Sequence, residues 1–531
     1  MSNAAIEVLK RSAVFEAPVF GFDEMIRTHA CHRGNEAAFI DGESVLTWRE
    51  FERRVSCVAE SLARAGIRKG ERVAMLASNS FWAYEVMFGI ARAGAVVTSL
   101  SLMLTPALLA KLLADSDAQL LFAGRGCEQL ATDAAAVGGG KPRVIRETGV
   151  AGAPDSFEAF IAGTHGVFTG PDPKPLDTFG IIYSSGTTGV PKGIMHSHAG
   201  RFGMAWHLGA ALAIPASARC LLATPPSSNG TMIVLLPAII VGAACVITRT
   251  LSPDDFFGAL SRHRFTHAFM VPTQFAAIFT DERAQHADFS GVRCLLSAGA
   301  PLAPQLKRIL LERIGHCFHE LWGFTEGVAT LIGPEEARQR PQSVGRALPG
   351  TDLRVIDENG KELQPPATGE LVGRSVMLMQ GYLNRPDANE EIRWLDAHGT
   401  TFLRTGDIGA IDEEGFVTLR GRIKDMILSG GLNVYPSDIE PVLLEHPAVA
   451  DAAVIGVPHE KWGEAPLACV IAKPGVALDP VALREWANAR VARHQRLVDV
   501  VLRTEDFPRN ALGKVLKAQL RAALVAAEAP R

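Results

Sequence analysis

Two stretches of this chain, 71–122 and 179–296, alternate short apolar β-branched runs with longer amphipathic ones, and that rhythm restricts the fold more than any other feature. In the first stretch Glu71-Arg-Val-Ala-Met75, Ala95-Val-Val-Thr98 and Gln119-Leu-Leu-Phe122 read as strands, with Phe81 to Gly94 and Thr105 to Ser116 as the helices between them. Strands joined by crossing helices pair in parallel, and a parallel sheet needs cover on both faces. Thr266-His-Ala-Phe-Met-Val271 and Val292-Arg-Cys-Leu-Leu296 add further buried strands. The expected fold class is α/β, with doubly wound sheets in a large N-terminal domain.

From Ser343 to Leu419 the pattern changes to short alternating runs broken by Gly, Pro and Asp-Glu turns, which read as antiparallel sheet or a small β-barrel. After Gly421-Arg-Ile-Lys-Asp425 it shifts again. Ser437-x-x-Glu440 reads as a capping box, and Asp479-Pro480 as an N-cap followed by Pro at the first helical position. At 531 residues the chain exceeds one ordinary core. The expected division is 1–421, a large N-terminal domain, and 422–531, a smaller α+β domain.

A net charge of −4 supplies no basic footprint for nucleic acid. The eight cysteines are scattered and form no Cys-x-x-Cys, which fits a reduced, cytoplasmic setting. Met1 to Lys10 shows no basic segment leading into a long apolar run, so no export signal is read there. Gly230 to Ile247 carries no charge, but Pro237 and Gly242 are expected to divide it into helix, turn and buried strand rather than a membrane span.

Tyr183-Ser-Ser-Gly-Thr-Thr-Gly-Val-Pro-Lys-Gly193 follows an apolar run directly. Gly186, Gly189 and Gly193 allow backbone N–H groups close to an anion, Ser184, Ser185, Thr187 and Thr188 add hydroxyls, and Lys192 adds a compact positive charge. The chemistry suits a nucleotide triphosphate. It is not the usual P-loop: Pro191 stands where that motif has glycine, and Gly193 where it has the metal-binding Ser or Thr.

Further along come Ser297-Ala-Gly-Ala-Pro301, Glu320-Leu-Trp-Gly-Phe-Thr-Glu326, Gly369-Glu-Leu371 with Gly381-Tyr382, Thr405-Gly-Asp407, Gly421-Arg-Ile-Lys-Asp425 and Pro508-Arg-Asn-Ala-Leu-Gly-Lys514. Each alone is a turn. As an ordered set over about residues 25 to 520, the chain resembles the adenylate-forming superfamily, in its acyl-CoA synthetase form.

The resemblance implies an ATP-dependent ligase that joins a carboxylic acid to coenzyme A through an acyl-AMP, with Mg²⁺. It implies that Gly299, Ala300 and Pro301, with Glu320, Leu321, Trp322, Gly323 and Phe324, lie around the adenine, and that Thr325 meets the α-phosphate. Asp407 and Arg422 would hold the ribose, Thr187 and Glu326 the Mg²⁺, and Lys514 would bridge α-phosphate and acyl carboxylate. Lys424 falls at the hinge, and Gly430 and Gly431 would let pantetheine pass.

Ala223-Thr-Pro-Pro-Ser-Ser-Asn-Gly230 matches the acid-pocket motif, with Pro226 and Ser227 where an aromatic and His are frequent. No Asp or Glu occurs from Leu221 to Pro253, which disfavours amino-acid substrates. His207, Ser227, Ser228, Met232, Gly299, Val328, Ala329 and Thr330 are the expected wall, suited to an aryl, arylpropenoyl or medium-chain acid; His207 alone reads more readily as a packed helix residue. The alternatives are an enzyme loading an acyl-carrier protein, and a catalytically silent nucleotide binder. A homodimer is left open.

Overall fold

The computed structural model describes residues 21–148, 153–168, 170, 173–183, 191–509 and 515–528. The loop residues Ser184, Ser185, Gly186, Thr187, Thr188 and Gly189, and Lys514, lie outside them.

Two sheets carry the parallel strands of the large N-terminal domain. One runs Gly381–Tyr382, Gly193–Ser197, Thr178–Tyr183, Val96–Leu100, Arg72–Leu76, Leu120–Ala123, Arg143–Arg146, parallel from Thr178–Tyr183 onward. The other has nine strands, and Phe318–Gly323, Cys294–Ser297, His267–Met270, Arg219–Leu222, Ala244–Ile247 and Ala37–Asp41 are its parallel core. The alternation read from sequence is therefore the alternation of these two sheets with their covering helices.

Between them lies one large apolar cluster, to which Trp48–Arg64, Phe81–Arg92, His198–Ala211 and Asn229–Val241 contribute buried side chains. Asn229–Val241 is one continuous helix, so Pro237 does not divide it as expected. An interior proline costs about 3 kcal/mol, yet Met232, Ile233, Leu235, Leu236 and Ile239 are all buried, each worth about 1.5–3 kcal/mol. The helix ends instead at Gly242, in the left-handed conformation (φ 75°), where a Cβ would fall 2.5 Å from Arg33 Nη1 and 2.8 Å from the His29 ring. No described helix is long and apolar enough to cross a membrane.

The 343–422 region forms an antiparallel sheet. Glu362–Leu363, Thr351–Ile356, Ala367–Ser375 and Thr401–Ile411 pair in that order, and both Arg393–Leu395 and Val417–Arg422 lie on the long Thr401–Ile411 strand. The ladder is open rather than a closed barrel, because two short strands share one edge. The smaller C-terminal domain has its own five-stranded sheet (Ile427–Ser429, Leu432–Val434, Val449–His459, Gly463–Ala472, Asp499–Arg503) and its own apolar cluster.

Asp479 does cap Pro480–Asn488, its side chain accepting from the Val481 N–H. The expected Ser437–Glu440 capping box is absent. Tyr435 is the N-cap, Ser437 lies inside the helix with its hydroxyl donating to the Arg420 carbonyl, and Glu440 instead accepts the Val454 N–H and pairs with Lys517. Pro436 already starts the helix by fixing φ, so no capping side chain is needed. His196 lies in the strand Gly193–Ser197, and His198 begins the helix that Ser197 caps.

One buried ion pair ties helix Pro304–Ile314 to the sheet. Lys307 Nζ lies 2.6 Å from Glu320 Oε2 and donates to the Ser343 carbonyl at 3.0 Å, with side-chain exposures of 7% and 10% for Lys307 and Glu320. Burial raises the Glu320 pKa against the opposing effect of Lys307. Lys307→Met is expected to destabilise by about 3–5 kcal/mol, because it strands a buried carboxylate. A raised folded-state pKa gives stability below the unfolded value that is lost as pH rises, so the loss should be smaller at pH 5 than at pH 8 in urea titrations.

Candidate active site

Ligands in open α/β sheets bind beyond the carboxyl ends of parallel strands. In the nine-stranded sheet that edge carries 223–228 after Arg219–Leu222, Ala298–Pro301 after Cys294–Ser297, and Phe324–Glu326 after Phe318–Gly323. Gly299 has φ +92° and is exposed, as is Pro301, and Ala300 is half-buried. They form an open lip.

The Glu320–Glu326 motif starts inside a strand rather than after one. Glu320, Leu321 and Trp322 are paired with Ile332, Leu331 and Thr330. The Glu320 carboxylate is engaged by Lys307, so only its backbone is left to face a nucleotide. Trp322 is buried, and its Nε1 donates to Asp407 Oδ2 at 2.8 Å. Arg422 Nε lies 2.7 Å from the other oxygen, Oδ1. Asp407 and Arg422 face each other across an antiparallel register, and Trp322, 85 residues before Asp407, reaches it from a strand of the nine-stranded sheet.

A second group forms around Tyr382. Its hydroxyl donates to Glu326 Oε1 at 2.8 Å, and Lys192 Nζ sits 4.8 Å from its ring centroid. The backbone fixes this arrangement: Tyr382 pairs with Ile194, the Leu383 N–H donates to the Gly193 carbonyl at 2.7 Å, and the Met379 N–H donates to the Glu326 carbonyl at 2.9 Å. Gly327 (φ +105°) permits the approach, since a Cβ there would lie 2.1 Å from the Met377 carbonyl oxygen. Burial, reinforced by the Glu326 charge, raises the phenol pKa far above its usual range, so Tyr382 remains a donor. Gly381-Tyr382 belongs to the ordered motif set but carried no assigned role; an aromatic hydroxyl following a glycine was the available signal.

Thr325 is half-buried beside Glu326. On the acid side, Ser228 caps helix Asn229–Val241 by accepting the Gly230 N–H at 3.1 Å, Ser227 is half-buried, and Met232 is buried in the inter-sheet cluster. Ala329 joins that same cluster, whereas Val328 and Thr330 do not. Val328 packs under the antiparallel sheet and Thr330 donates to the Val344 carbonyl at 2.7 Å. The two-residue period of the strand puts alternate side chains on opposite faces. His207 is half-buried with Nδ1 2.7 Å from the Gly203 carbonyl, between the core and wall readings. Lys424 is exposed in a single 3₁₀ turn, Ile423–Asp425, linking the last strand of the antiparallel sheet to the first of the C-terminal domain. Gly430 and Gly431 both have positive φ, and the Gly430 N–H donates to the Trp462 carbonyl at 2.8 Å.

Residues 26–383 match the family model described as AMP-binding enzyme, and 438–514 match the AMP-binding enzyme C-terminal domain. The chain belongs to the AMP-binding enzyme family. It is an adenylate-forming protein of the acyl-CoA synthetase type. A feruloyl-CoA synthase of Amycolatopsis sp is 32% identical over 488 residues, covering 90% of this chain and 94% of the relative. A fatty acid–[acyl-carrier-protein] ligase, ScoC of Streptomyces coeruleorubidus, is 32% identical over 524 residues, with 93% and 94% covered. The ATP-bound crystal structure of MatB from Rhodopseudomonas palustris superposes with a TM-score of 0.85 at 27% identity, covering 95% of this chain and 99% of that one.

Proposed function

We propose that this chain is an AMP-forming acid:CoA ligase, dividing near 421 into an adenylation domain and a mobile C-terminal domain. The observation that carries the reading is the convergence of Trp322, Asp407 and Arg422 near the Lys192–Tyr382–Glu326 group, with the Arg422 charge acting on Tyr382, and with Glu326 lying beyond the carboxyl end of a parallel strand. ATP, CoA and a carboxylic acid are its small-molecule substrates, and the setting is cytoplasmic.

A substrate carboxylate with a pKa of about 4–5 is ionised at neutral pH, so the first step needs no general base. It needs relief of repulsion as one anion attacks another at phosphorus, with pyrophosphate leaving. Lys192 and Lys514 supply positive charge and the Ser184–Gly189 loop supplies donors. Asp407 and Arg422 orient the ribose, and Thr325 meets the α-phosphate. Glu326 Oε2 meets no hydrogen-bond partner among the described residues, so this carboxylate fits a divalent ion shared with Thr187 and the phosphates. Bound there, Mg²⁺ would neutralise phosphate charge. In the thiol step, rotation at Lys424 would withdraw Lys514 and bring the Gly430-Gly431 turn to the acyl-adenylate.

Pyrophosphate release with ATP and Mg²⁺ across aryl, arylpropenoyl and medium-chain acids, each with and without CoA, tests the reading. Sustained release needing both one acid and CoA is expected. A single turnover with CoA that becomes sustained only with a phosphopantetheinylated carrier would assign the carrier-loading role, the activity in the name of one relative.

Tyr382→Phe keeps the ring over Lys192 and removes the bond to Glu326. A lost hydrogen bond to a charged group is worth about 1.5–3 kcal/mol, so the apparent ATP KM should rise about tenfold or more, with Tyr382→Leu worse. Initial rates at varied ATP check this.

A further inference from the structure

Arg201 is a buried cation that meets no acid among the described residues. It lies in the helix His198–Ala211 with 3% of its surface exposed. Among the described residues its guanidinium meets only Asn229 Oδ1, at 2.6 Å from Nη1, and the Met204 sulfur, at 3.5 Å; it pairs with no carboxylate. Burial lowers its pKa to about 9, which still leaves it charged at neutral pH. A buried charge without a counter-charge destabilises the fold, a penalty that a well-packed methionine would avoid.

Its one oxygen partner stands at the binding edge. Asn229 opens the helix Asn229–Val241, reached from the carboxyl end of strand Arg219–Leu222, and that strand belongs to the same parallel set that carries Ala298–Pro301 and Phe324–Glu326. A guanidinium only donates, so the Asn229 amide must turn its oxygen toward Arg201 and its NH₂ away. That NH₂ has no acceptor among the described residues, and Asn229 is half-buried, so its donors remain available at the edge. A buried polar atom, His196 Nε2, meets no hydrogen-bond partner among the described residues and lies within the field of Arg201. Burial, then the Arg201 charge, push the His196 pKa well below its usual value, so the imidazole stays neutral.

We infer that Arg201 and Asn229 form the far end of the acid site and select carboxylic acids bearing a second, hydrogen-bond-accepting oxygen remote from the reacting carboxylate. This rests on the ligase reading above and narrows its substrate class. Arg201 acts as a positioning residue for the Asn229 donors and as the charge complement of the incoming oxygen.

The experiment compares kcat/KM for pyrophosphate release within matched pairs: hexanoate against adipate, and cinnamate against its para-hydroxy and para-carboxy derivatives. The wild-type enzyme should favour an oxygen-bearing member by at least about tenfold, since a site built to bond an oxygen rejects the analogue lacking it. The carboxy and hydroxy arms tell an anionic from a neutral acceptor. Arg201→Met should bring the ratio close to one, with a Tm unchanged or higher; a merely structural arginine would lower Tm and leave the ratio intact. Asn229→Leu, at the helix start, should also abolish the preference and decides the matter if Arg201→Met does not fold. A wild-type preference for the unsubstituted member of every pair, or a ratio unmoved by both variants, overturns the inference. If no acid in a broad panel supports release, the ligase reading falls and this inference with it.

Discussion

Lys514→Ala is expected to slow acyl-AMP formation by about 10²–10³-fold, the usual scale for removing one preorganised electrostatic contact to a transition state. Thioester formation from a supplied acyl-adenylate should persist, because the phosphoryl chemistry is then complete. The expected effect is one of charge: the carboxylate and the α-phosphate are both anionic as they meet, and a lysine that touched both would be worth most at that instant. The neighbouring backbone is anchored. Arg509 and Val515 form an antiparallel bridge, the Leu516 N–H donates to the Pro508 carbonyl at 2.7 Å, and Arg509 pairs with Asp451. The substitution should therefore spare the fold. Single-turnover acyl-AMP formation and CoA-dependent consumption of synthetic acyl-adenylate, measured on the same preparation, separate the half-reactions. Equal loss in both would remove Lys514 from its assigned role.

Local periodicity made the strands from Arg72 to Ala123 legible, since a strand buried on both faces has few other compositions open to it. It failed where tertiary burial outweighed a local rule. Pro237 has the marks of a breaker, but the helix around it is apolar on every side and has nowhere else to go. Ser437 satisfied a capping pattern, but the proline before it had already begun the helix. At the site, the ordered motifs named Asp407, Arg422, Trp322 and Glu326 without saying which would touch. The contact of Trp322 with Asp407, and the short strand carrying Tyr382 to Ile194, are long-range pairings that no window of sequence contains. Arg201 was missed for a related reason: an arginine near a helix start reads as a solvated residue until a second helix is seen to bury it.

The Asp407 junction tests whether geometry and function coincide. Asp407→Ala removes the acceptor shared by Trp322 Nε1 and Arg422 Nε, both from a residue only 7% exposed. Leaving the buried indole N–H unpaired should cost about 1–3 kcal/mol of stability; Arg422 is partly exposed, so its lost pairing should add little. If Asp407 also holds the ribose, each hydrogen bond lost from its carboxylate is worth about 1.5–3 kcal/mol, and the ATP dissociation constant should rise at least tenfold. The two effects separate in a Trp322→Phe background, which keeps a ring and deletes the N–H. There Asp407→Ala should lose little further stability yet still weaken ATP by the full factor. Calorimetric ATP titration and urea unfolding of the four proteins give that cycle. A stability loss in Asp407→Ala with unchanged ATP affinity would make Asp407 a strut for Trp322 and Arg422, and would move ribose recognition to Arg422 alone.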